Sequence, residues 1–239
     1  MNTAVRLDSV RFAWPGARPL FEGLSFEAAA GGITALVGAS GCGKSTVLRL
    51  AAGLLQPDAG TVTTPAGERA FVFQSPTLLP WRSVAANVGL PLELKGEKGP
   101  SAQARVRDAL ARVGLADSAE LLPRQLSGGM RMRASIARAL VTSPSLLLMD
   151  EPFSALDPIT RKRMQQEFLA LWEAARFTVL LVSHDIDEAV LMADRVLVFK
   201  ADPGRLVDDI RVGLPRPRPP ELLHDPALGQ IAMRAEAAL

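Results

Sequence analysis

A glycine-rich segment that ends in a lysine and a hydroxyl residue is the part of the sequence best suited to hold phosphate. Its residues fit the pattern GxxxxGK[ST], with Thr46 following: Gly38, Ala39, Ser40, Gly41, Cys42, Gly43, Lys44 and Ser45. The glycines let successive N–H groups face an anion, and the helix that follows adds its positive dipole end. We expect Lys44 to reach the β- and γ-phosphates of a nucleotide and the Ser45 hydroxyl to bind Mg²⁺. A glycine turn that fits by chance is the alternative.

Two adjacent carboxylates follow an apolar stretch that is typical of a buried strand. Asp150 and Glu151 come directly after residues 145–149. Ligands bind at the carboxyl ends of parallel strands, so both side chains are expected at the crevice that holds the phosphates. Asp150 is suited to the Mg²⁺ shell, and Glu151 to a general base that polarises the attacking water. A plain exposed loop is the alternative interpretation.

Two further polar side chains are expected at strand ends on the crevice side. Gln74 follows the apolar stretch 70–73, and His184 follows 178–183. The Gln74 amide oxygen could serve Mg²⁺ or the attacking water, and His184 could donate a hydrogen bond to the γ-phosphate. His224, in the tail, is interpreted as a surface residue. The predicted catalytic residues are therefore Glu151, His184 and Gln74, and the predicted Mg²⁺ ligands are Ser45, Gln74 and Asp150.

A serine and two glycines before a helical stretch form a second candidate anion site. Ser127, Gly128 and Gly129 precede a stretch whose pattern is helical to about Val141. A serine N-cap followed by glycines leaves the first backbone N–H groups of a helix accessible to an anion. Taken alone, the same residues could be an ordinary helix cap.

Alternating apolar strands and helices must position these side chains. Strands are predicted at 5–12, 20–27, 33–37, 70–73, 145–149, 178–182, 195–199 and 206–210. Helices are predicted at 45–54, 158–175 and 186–193, and in a stretch that Ser101 caps and Gly114 ends. This alternation indicates an α/β fold with a parallel sheet, interrupted by a helical insert at about 83–140. The domain is expected to cover 1–214, and 215–239 to hold a proline-rich linker and a terminal helix.

Composition limits the classes of protein to which the chain can belong. Its 239 residues suit one large domain, and its single cysteine excludes an internal disulfide. Cys42 is either a tolerated small residue of the phosphate loop or a redox-sensitive thiol. No apolar run approaches the ~18 residues of a membrane span, and the N-terminus lacks a signal-peptide pattern, so we expect a soluble intracellular chain. The 27 Lys and Arg against 25 Asp and Glu form no dense basic block, so no nucleic acid partner is expected.

The order of these motifs resembles that of the ATP-binding-cassette (ABC) ATPases over about residues 3–212. The matching features, in chain order, are residues 38–45, Gln74, the LSGGM segment 126–130, Asp150 with Glu151, the SALD segment 154–157 and His184. The resemblance implies a P-loop NTPase fold with a mostly parallel core sheet, an N-terminal antiparallel β part and an inserted helical subdomain. It also implies ATP and Mg²⁺ as ligands and hydrolysis of ATP. Met130 stands where the family usually has glutamine, a departure outside the Ser-Gly-Gly segment.

The same resemblance implies a head-to-tail dimer with two ATP molecules between the subunits. Lys44 of one subunit would face Ser127–Gly129 of the other, and Asp157 would lie at the dimer seam. The family also stacks an aromatic side chain on adenine. Because the chain has no tyrosine, Trp14 is the candidate, with Phe12 as the fallback; a buried structural role for Trp14 is the alternative.

Within the family, two segments resemble the importers of nitrate, sulfonates, taurine and similar small solutes. Residues 78–84 read LLPWRSV, and residues 214–218 read LPRPR. In such importers the first segment contacts cytoplasmic helices of the permease, so Leu78, Leu79 and Trp81 are candidates for permease docking. The alternative is that these residues only pack the insert on the core. The implied partners are a second copy of the chain, a transmembrane permease at the cytoplasmic face of the membrane and, indirectly, an external solute-binding protein.

Other function classes share part of this motif set. ATPases of DNA repair or chromosome organisation carry a long coiled coil between the two anion sites, whereas only residues 45–126 separate them here. A nucleotide-binding module without turnover is a further alternative, against which the presence of both Glu151 and His184 argues. The leading hypothesis is the ATP-hydrolysing, energy-coupling subunit of an importer.

Overall fold

The computed structural model describes residues 3–201, 203–219, 221–222 and 225–239. The chain divides into two compact units. Unit 1 consists of Met1–Ala66, Leu148–Glu151 and Arg176–Leu239, and unit 2 of Gly67–Leu147 and Pro152–Ala175. The predicted boundary at residue 214 stays a prediction, and the described tail residues belong to unit 1. His224, which the sequence places at the surface, lies outside the described residues.

The described chain begins with three strands, and three α-helices lie in its middle with no strand between them. The strands are β1 (Thr3–Ala13), β2 (Pro19–Ala29), β3 (Ile33–Gly38), β4 (Ala59–Thr63), β5 (Arg69–Val72), β6 (Leu146–Asp150), β7 (Thr178–Val182), β8 (Arg195–Lys200) and β9 (Arg205–Arg211). The helices are α1 (Lys44–Ala52), α2 (Val84–Leu94), α3 (Pro100–Arg112), α4 (Gly128–Leu140), α5 (Pro158–Ala175), α6 (Ile186–Met192) and α7 (Pro226–Ala238). The bounds of β7 and α5 agree with those predicted, and β4 has no predicted counterpart.

The N-terminal strands form an antiparallel sheet in unit 1, with strand order β2-β1-β4. Buried and exposed residues alternate along much of β1 and β2, so one face of this sheet packs on the core. Strand β4 is exposed or half-buried throughout. It lacks the apolar pattern that would have identified it in the sequence.

The larger sheet has the strand order β5-β6-β7-β3-β8-β9. Strand β3 is parallel to both β7 and β8, whereas β9 is antiparallel to β8. Every residue of β3 and β7 is buried, as expected for parallel strands covered on both faces. Leu36 lies opposite Val182, so the loops that follow β3 and β7 leave the sheet side by side. This register places the phosphate loop and His184 at the same edge.

Helices α2, α3 and α4 pack around a core of their own in unit 2. Val88, Leu110 and Ala137 are among its buried members, and Leu78 packs against it. The predicted cap at Ser101 is wrong, because α3 begins one residue earlier, at Pro100, with Gly99 as its N-cap. Proline is favoured at the first helical position, where its missing N–H costs no hydrogen bond.

The observed architecture confirms the predicted α/β class with a mostly parallel sheet, an antiparallel N-terminal part and an inserted helical region. None of the helices in the described part of the chain combines the length and the apolarity that crossing a bilayer demands.

Candidate nucleotide site

The phosphate loop has a backbone that only glycine can adopt at two positions. Gly38 has φ 152°, and a Cβ there would lie 2.3 Å from the carbonyl oxygen of Phe199. Gly43 has φ 101°, and a Cβ there would lie 2.4 Å from the Phe21 ring. Both distances are shorter than the van der Waals contacts that a Cβ atom makes with other heavy atoms. The tight passage from β3 into α1 therefore depends on these two glycines.

The lysine of the loop is buried and turned towards the loop's own backbone. Lys44 is 6% exposed, and its Nζ donates to the carbonyl oxygens of Gly38 at 2.6 Å and of Ala39 at 3.0 Å. Nζ also lies 3.7 Å from the Cys42 sulfur. The ammonium group is thus fixed inside the loop, where it can compensate phosphate charge.

A hydroxyl and a carboxylate that the sequence assigns to Mg²⁺ are in direct contact. The Ser45 hydroxyl donates to Oδ1 of Asp150 at 2.8 Å. Burial raises the pKa of Asp150, against the hydrogen bond from Ser45, and the Glu151 charge raises it further. Arg49 and Lys44 lower it by a smaller amount. Two oxygen donors at this distance suit a hard cation.

The second carboxylate and the predicted histidine also meet. Glu151 has φ 47°, a left-handed backbone that turns the chain sharply at the end of β6, and its N–H donates to the carbonyl oxygen of Val182. His184 Nδ1 lies 3.0 Å from Oε2 of Glu151. The histidine side chain remains 57% exposed and accessible to a ligand.

The turn that carries His184 is fixed by polar contacts at the start of α6. Asp185 caps this helix, and its carboxylate accepts from the Glu188 N–H at 3.0 Å. The Ser183 hydroxyl donates to the Glu188 carboxylate and accepts from the Asp185 N–H. These contacts therefore hold the backbone on both sides of His184 in place.

In unit 2, the candidate signature residues form a helix cap. The Ser127 hydroxyl accepts from the Met130 N–H at 3.2 Å at the start of α4. A Cβ on Gly129 would lie 2.9 Å from the methyl group of Thr160, so a glycine permits the close approach of α4 and α5. Ser127 and Gly128 are exposed, whereas Gly129 is buried.

Two other predicted site residues lie in unit 2. Asp157 caps α5 by accepting from the Thr160 N–H at 3.0 Å, and hydrogen bonds from Thr160 hold the pKa of its carboxyl below the usual value. The Gln74 amide donates to the Ser154 hydroxyl at 3.2 Å. Arg161 donates to the carbonyl oxygens of Phe153, Ser154 and Leu156 and so orders the loop between Glu151 and Asp157.

The aromatic candidate for adenine stacking is Trp14. Its ring packs edge-on against Phe12, with ring centres 5.2 Å apart and an interplanar angle of 89°. Trp14 is 39% exposed, whereas Phe12 is buried. Trp14 is therefore not a buried structural residue, and of the two aromatic side chains it is the one that a planar ligand can reach.

Comparison with known proteins identifies the family. The family model described as "ABC transporter" matches residues 21–154, more than half of the chain. The chain is a member of the ABC transporter family. The predicted resemblance is thereby confirmed. As an ABC ATPase, the chain binds and hydrolyses ATP.

Relatives of this ABC ATPase cover nearly its whole length. It is 46% identical over 228 residues to "Aliphatic sulfonates import ATP-binding protein SsuB 2" of Pseudomonas savastanoi pv. phaseolicola, an alignment that covers 93% of this chain and 82% of the relative. It is 50% identical over 203 residues to "Aliphatic sulfonates import ATP-binding protein SsuB" of Mycobacterium sp. (strain MCS), covering 85% and 82%. A solved structure of the ATP-binding cassette MJ0796 also matches this chain, with a TM-score of 0.75 and 28% sequence identity. The match covers 87% of this chain and 98% of MJ0796. That structure is a dimer in a post-hydrolysis state bound to ADP and Pi.

The segment predicted to dock on a permease has both packed and exposed residues. Leu78 and Leu79 are half-buried, and Leu78 packs on the core of the helical insert. Trp81 is 74% exposed. Of the three candidates, Trp81 is the one that offers a large apolar surface to a partner.

Asn87 is a structural residue of this segment that the sequence does not reveal. It is fully buried in α2. Its Oδ1 accepts from the Leu79 N–H at 2.7 Å, and its Nδ2 donates to the carbonyl oxygens of Leu79, Arg82 and Ser83 at 3.0–3.1 Å. An asparagine inside a helical pattern usually indicates an exposed position, so only the structure identifies its role.

Proposed function

We propose that this ABC ATPase is the energy-coupling subunit of an importer for aliphatic sulfonates or similar small solutes, such as nitrate or taurine. The named aliphatic sulfonate import proteins, 46% and 50% identical to this chain, support the solute class. ATP-driven closure of a dimer would power a separate permease. The permease and an external solute-binding protein would select the solute, and this chain would lie at the cytoplasmic face of the membrane.

The contact between Glu151 and His184 carries the hydrolytic part of the proposal. Glu151 would act as the general base that polarises the attacking water, with His184 held beside it at 3.0 Å to donate to the γ-phosphate. The left-handed backbone of Glu151 presents its carboxylate at the end of β6. Gln74 would bind the attacking water or the metal through its amide oxygen.

Nucleotide binding is proposed to use the phosphate loop and Trp14. The loop amides and Lys44 would hold the phosphates, and the indole of Trp14 would stack on adenine. The contact between Ser45 and Asp150 fits a magnesium site. Mg²⁺ would neutralise charge on the phosphate oxygens.

A second copy of the chain is proposed to complete each site. The exposed Ser127 and Gly128 would offer backbone N–H groups to the phosphates bound by the other subunit, with Asp157 at the seam. The dimeric state of MJ0796 with ADP and Pi supports this arrangement.

The permease is proposed to bind unit 2 around Trp81. An open groove of about 400 Å³ lies in the same unit and is lined by the apolar residues Phe71, Phe73, Leu90 and Leu94, with Arg138 at one side. Phe73 and Leu94 are exposed. Exposed apolar side chains of this size are typical of a protein-binding surface.

Replacing the proposed general base separates binding from hydrolysis. Glu151→Gln should keep ATP affinity, lower the steady-state ATPase rate by at least about 100-fold and accumulate an ATP-bound dimer on gel filtration. Lys44→Ala should instead lose ATP affinity. Glu236→Gln, which removes an exposed carboxylate of α7, is the matched control and should hydrolyse ATP normally. An ATPase rate in Glu151→Gln close to that of the control would contradict the assignment.

A further inference from the structure

The proline-rich segment after β9 carries an arginine that is buried rather than exposed. In the sequence, PRPRPP has the composition of a solvated linker. In the structure, Arg218 is 4% exposed, and Arg216 is also largely covered. An arginine is almost never buried to this extent unless its donors are used.

The Arg218 guanidinium is held by backbone carbonyl groups. Nη1 donates to the carbonyl oxygens of Val190 at 3.2 Å and of Ala193 at 2.5 Å. Nη2 donates to those of Val212 at 3.1 Å and of Leu214 at 2.8 Å. The side chain thereby joins the end of α6 to the chain that follows β9.

Arg216 adds a second connection to the same place. Its Nη2 donates to the carbonyl oxygen of Met192 at 2.5 Å, and its Nε donates to the Asp194 carboxylate at 3.0 Å. The other oxygen of Asp194 accepts from the Ile33 N–H, at the start of β3, at 2.9 Å. The tail, the end of α6 and the strand of the phosphate loop are thus joined through one carboxylate.

These contacts satisfy the groups that a helix leaves unpaired at its C-terminus. The last carbonyl groups of a helix have no partner within it, and they form the negative end of its dipole. Val190 and Met192 supply such carbonyl groups in α6, and Ala193, the C-cap of the helix, supplies another. Burial and, to a smaller extent, the Arg216 charge lower the pKa of Arg218 to about 10, against the opposing effect of the Asp194 charge. The guanidinium therefore remains a cation at neutral pH.

The position of α6 determines where His184 lies. The helix spans only Ile186–Met192, about two turns, and it begins two residues after His184. Its N-terminal end is fixed by the Asp185 cap and the bond between Ser183 and Glu188. A helix this short shifts as a unit, so a displacement at its C-terminal end reaches the histidine.

We infer that Arg218, supported by Arg216, is a positioning residue for ATP hydrolysis, because it holds α6 where His184 contacts Glu151. This inference rests on the roles proposed above for Glu151 and His184. The proline-rich segment thereby contributes to ATP hydrolysis although it touches neither Glu151 nor His184.

The test compares substitutions at the tail with one at the histidine, in the full-length chain with MgATP. Arg218→Lys keeps the charge but cannot reach four carbonyl groups, and we expect kcat to fall about tenfold with the KM for ATP within about twofold. Arg234→Ala removes an exposed tail contact to Asp208 and should keep the wild-type kcat. If Arg218→Lys does not fold, Arg216→Lys provides the same comparison.

The double variant shows whether the effect passes through His184. Arg218→Lys combined with His184→Ala should lose no more kcat than His184→Ala alone, because the histidine to be positioned is absent. Two outcomes would overturn the positioning role of Arg218 and leave the proposed role of His184 intact. One is a double variant whose loss of kcat is the product of the two single losses. The other is a wild-type kcat for Arg218→Lys while His184→Ala is impaired. A wild-type kcat for His184→Ala would overturn the proposed role of the histidine and this inference with it.

Discussion

At the scale of single residues, the backbone at the ends of β3 and β6 decides what the side chains can do. Glu151 adopts a left-handed conformation, which costs a non-glycine residue about 1 kcal/mol or more. The cost is offset where the N–H of Glu151 reaches Val182 and its carboxylate reaches His184. The side chain that the sequence proposes as a base is therefore held by its turn and its neighbour together.

Residue types identify the candidate site, but they do not reveal its internal contacts. The pattern around Lys44 is recognisable from sequence because glycines and a lysine at fixed spacing have one main use. The hydrogen bond from Ser45 to Asp150, in contrast, joins residues 105 positions apart in the chain. Contacts of that range follow from strand order, which local patterns do not specify.

Cys42 offers a test of the phosphate loop at the residue scale. Its side chain is fully buried, and its sulfur lies against the loop backbone near Lys44 Nζ. An alkyl group on the sulfur has no room there, so labelling with N-ethylmaleimide should abolish ATP binding, and bound ATP should slow the labelling several-fold. The reagent is specific because the sequence has one cysteine, and Cys42→Ala should be insensitive to it. Full ATPase activity after stoichiometric labelling would disprove the prediction.

At the scale of elements, the sequence is most informative where burial is complete and least informative where it is mixed. Strand β7 and helix α5 have the predicted bounds because an apolar run and a long amphipathic stretch define them. Strand β4 is short and mostly exposed, and it lies at the edge of its sheet beside β1. The proline-rich segment that begins at residue 215 is predicted to be a linker because arginine and proline normally indicate exposure to solvent. The buried contacts of Arg218 depend instead on the carbonyl groups at the end of α6.

The loop before α2 provides a prediction at the scale of elements. Asn87→Ala should destabilise the chain by about 2–3 kcal/mol, because backbone groups of Leu79, Arg82 and Ser83 lose their buried partner. Trp81→Ala removes an exposed side chain and should leave stability unchanged within about 0.5 kcal/mol. Denaturant unfolding measures both.

The same pair of variants tests the proposed docking surface. Complexes isolated from cells through an affinity tag on this chain should contain less permease with either variant, whereas the ATPase rate of isolated Trp81→Ala should equal that of the wild type. Normal permease recovery with Trp81→Ala would place the docking surface elsewhere.

At the scale of the whole molecule, the composition agrees with a chain that works in an assembly. Apolar residues make up 48% of the sequence. Alanine accounts for part of this share, and its small side chain adds little apolar surface for binding a partner. Trp81, Phe73 and Leu94 are exposed and belong to the surface that is proposed to bind the permease. The exposed Ser127 cap is a second such surface, whose proposed partner is another copy of the chain.

Mixing two inactive variants tests whether each site is built from two copies. Lys44→Ala disables the phosphate loop, and Ser127→Arg places a long side chain on the exposed cap of α4, where it should not disturb folding. Each variant alone should be inactive, because both sites of a head-to-tail dimer contain the defect. In a mixed dimer one site carries both defects and the other carries neither. An equal mixture should therefore recover ATPase activity, to about a quarter of the wild-type rate if the sites act independently. A mixture that forms dimers with ATP but hydrolyses none would contradict the head-to-tail arrangement.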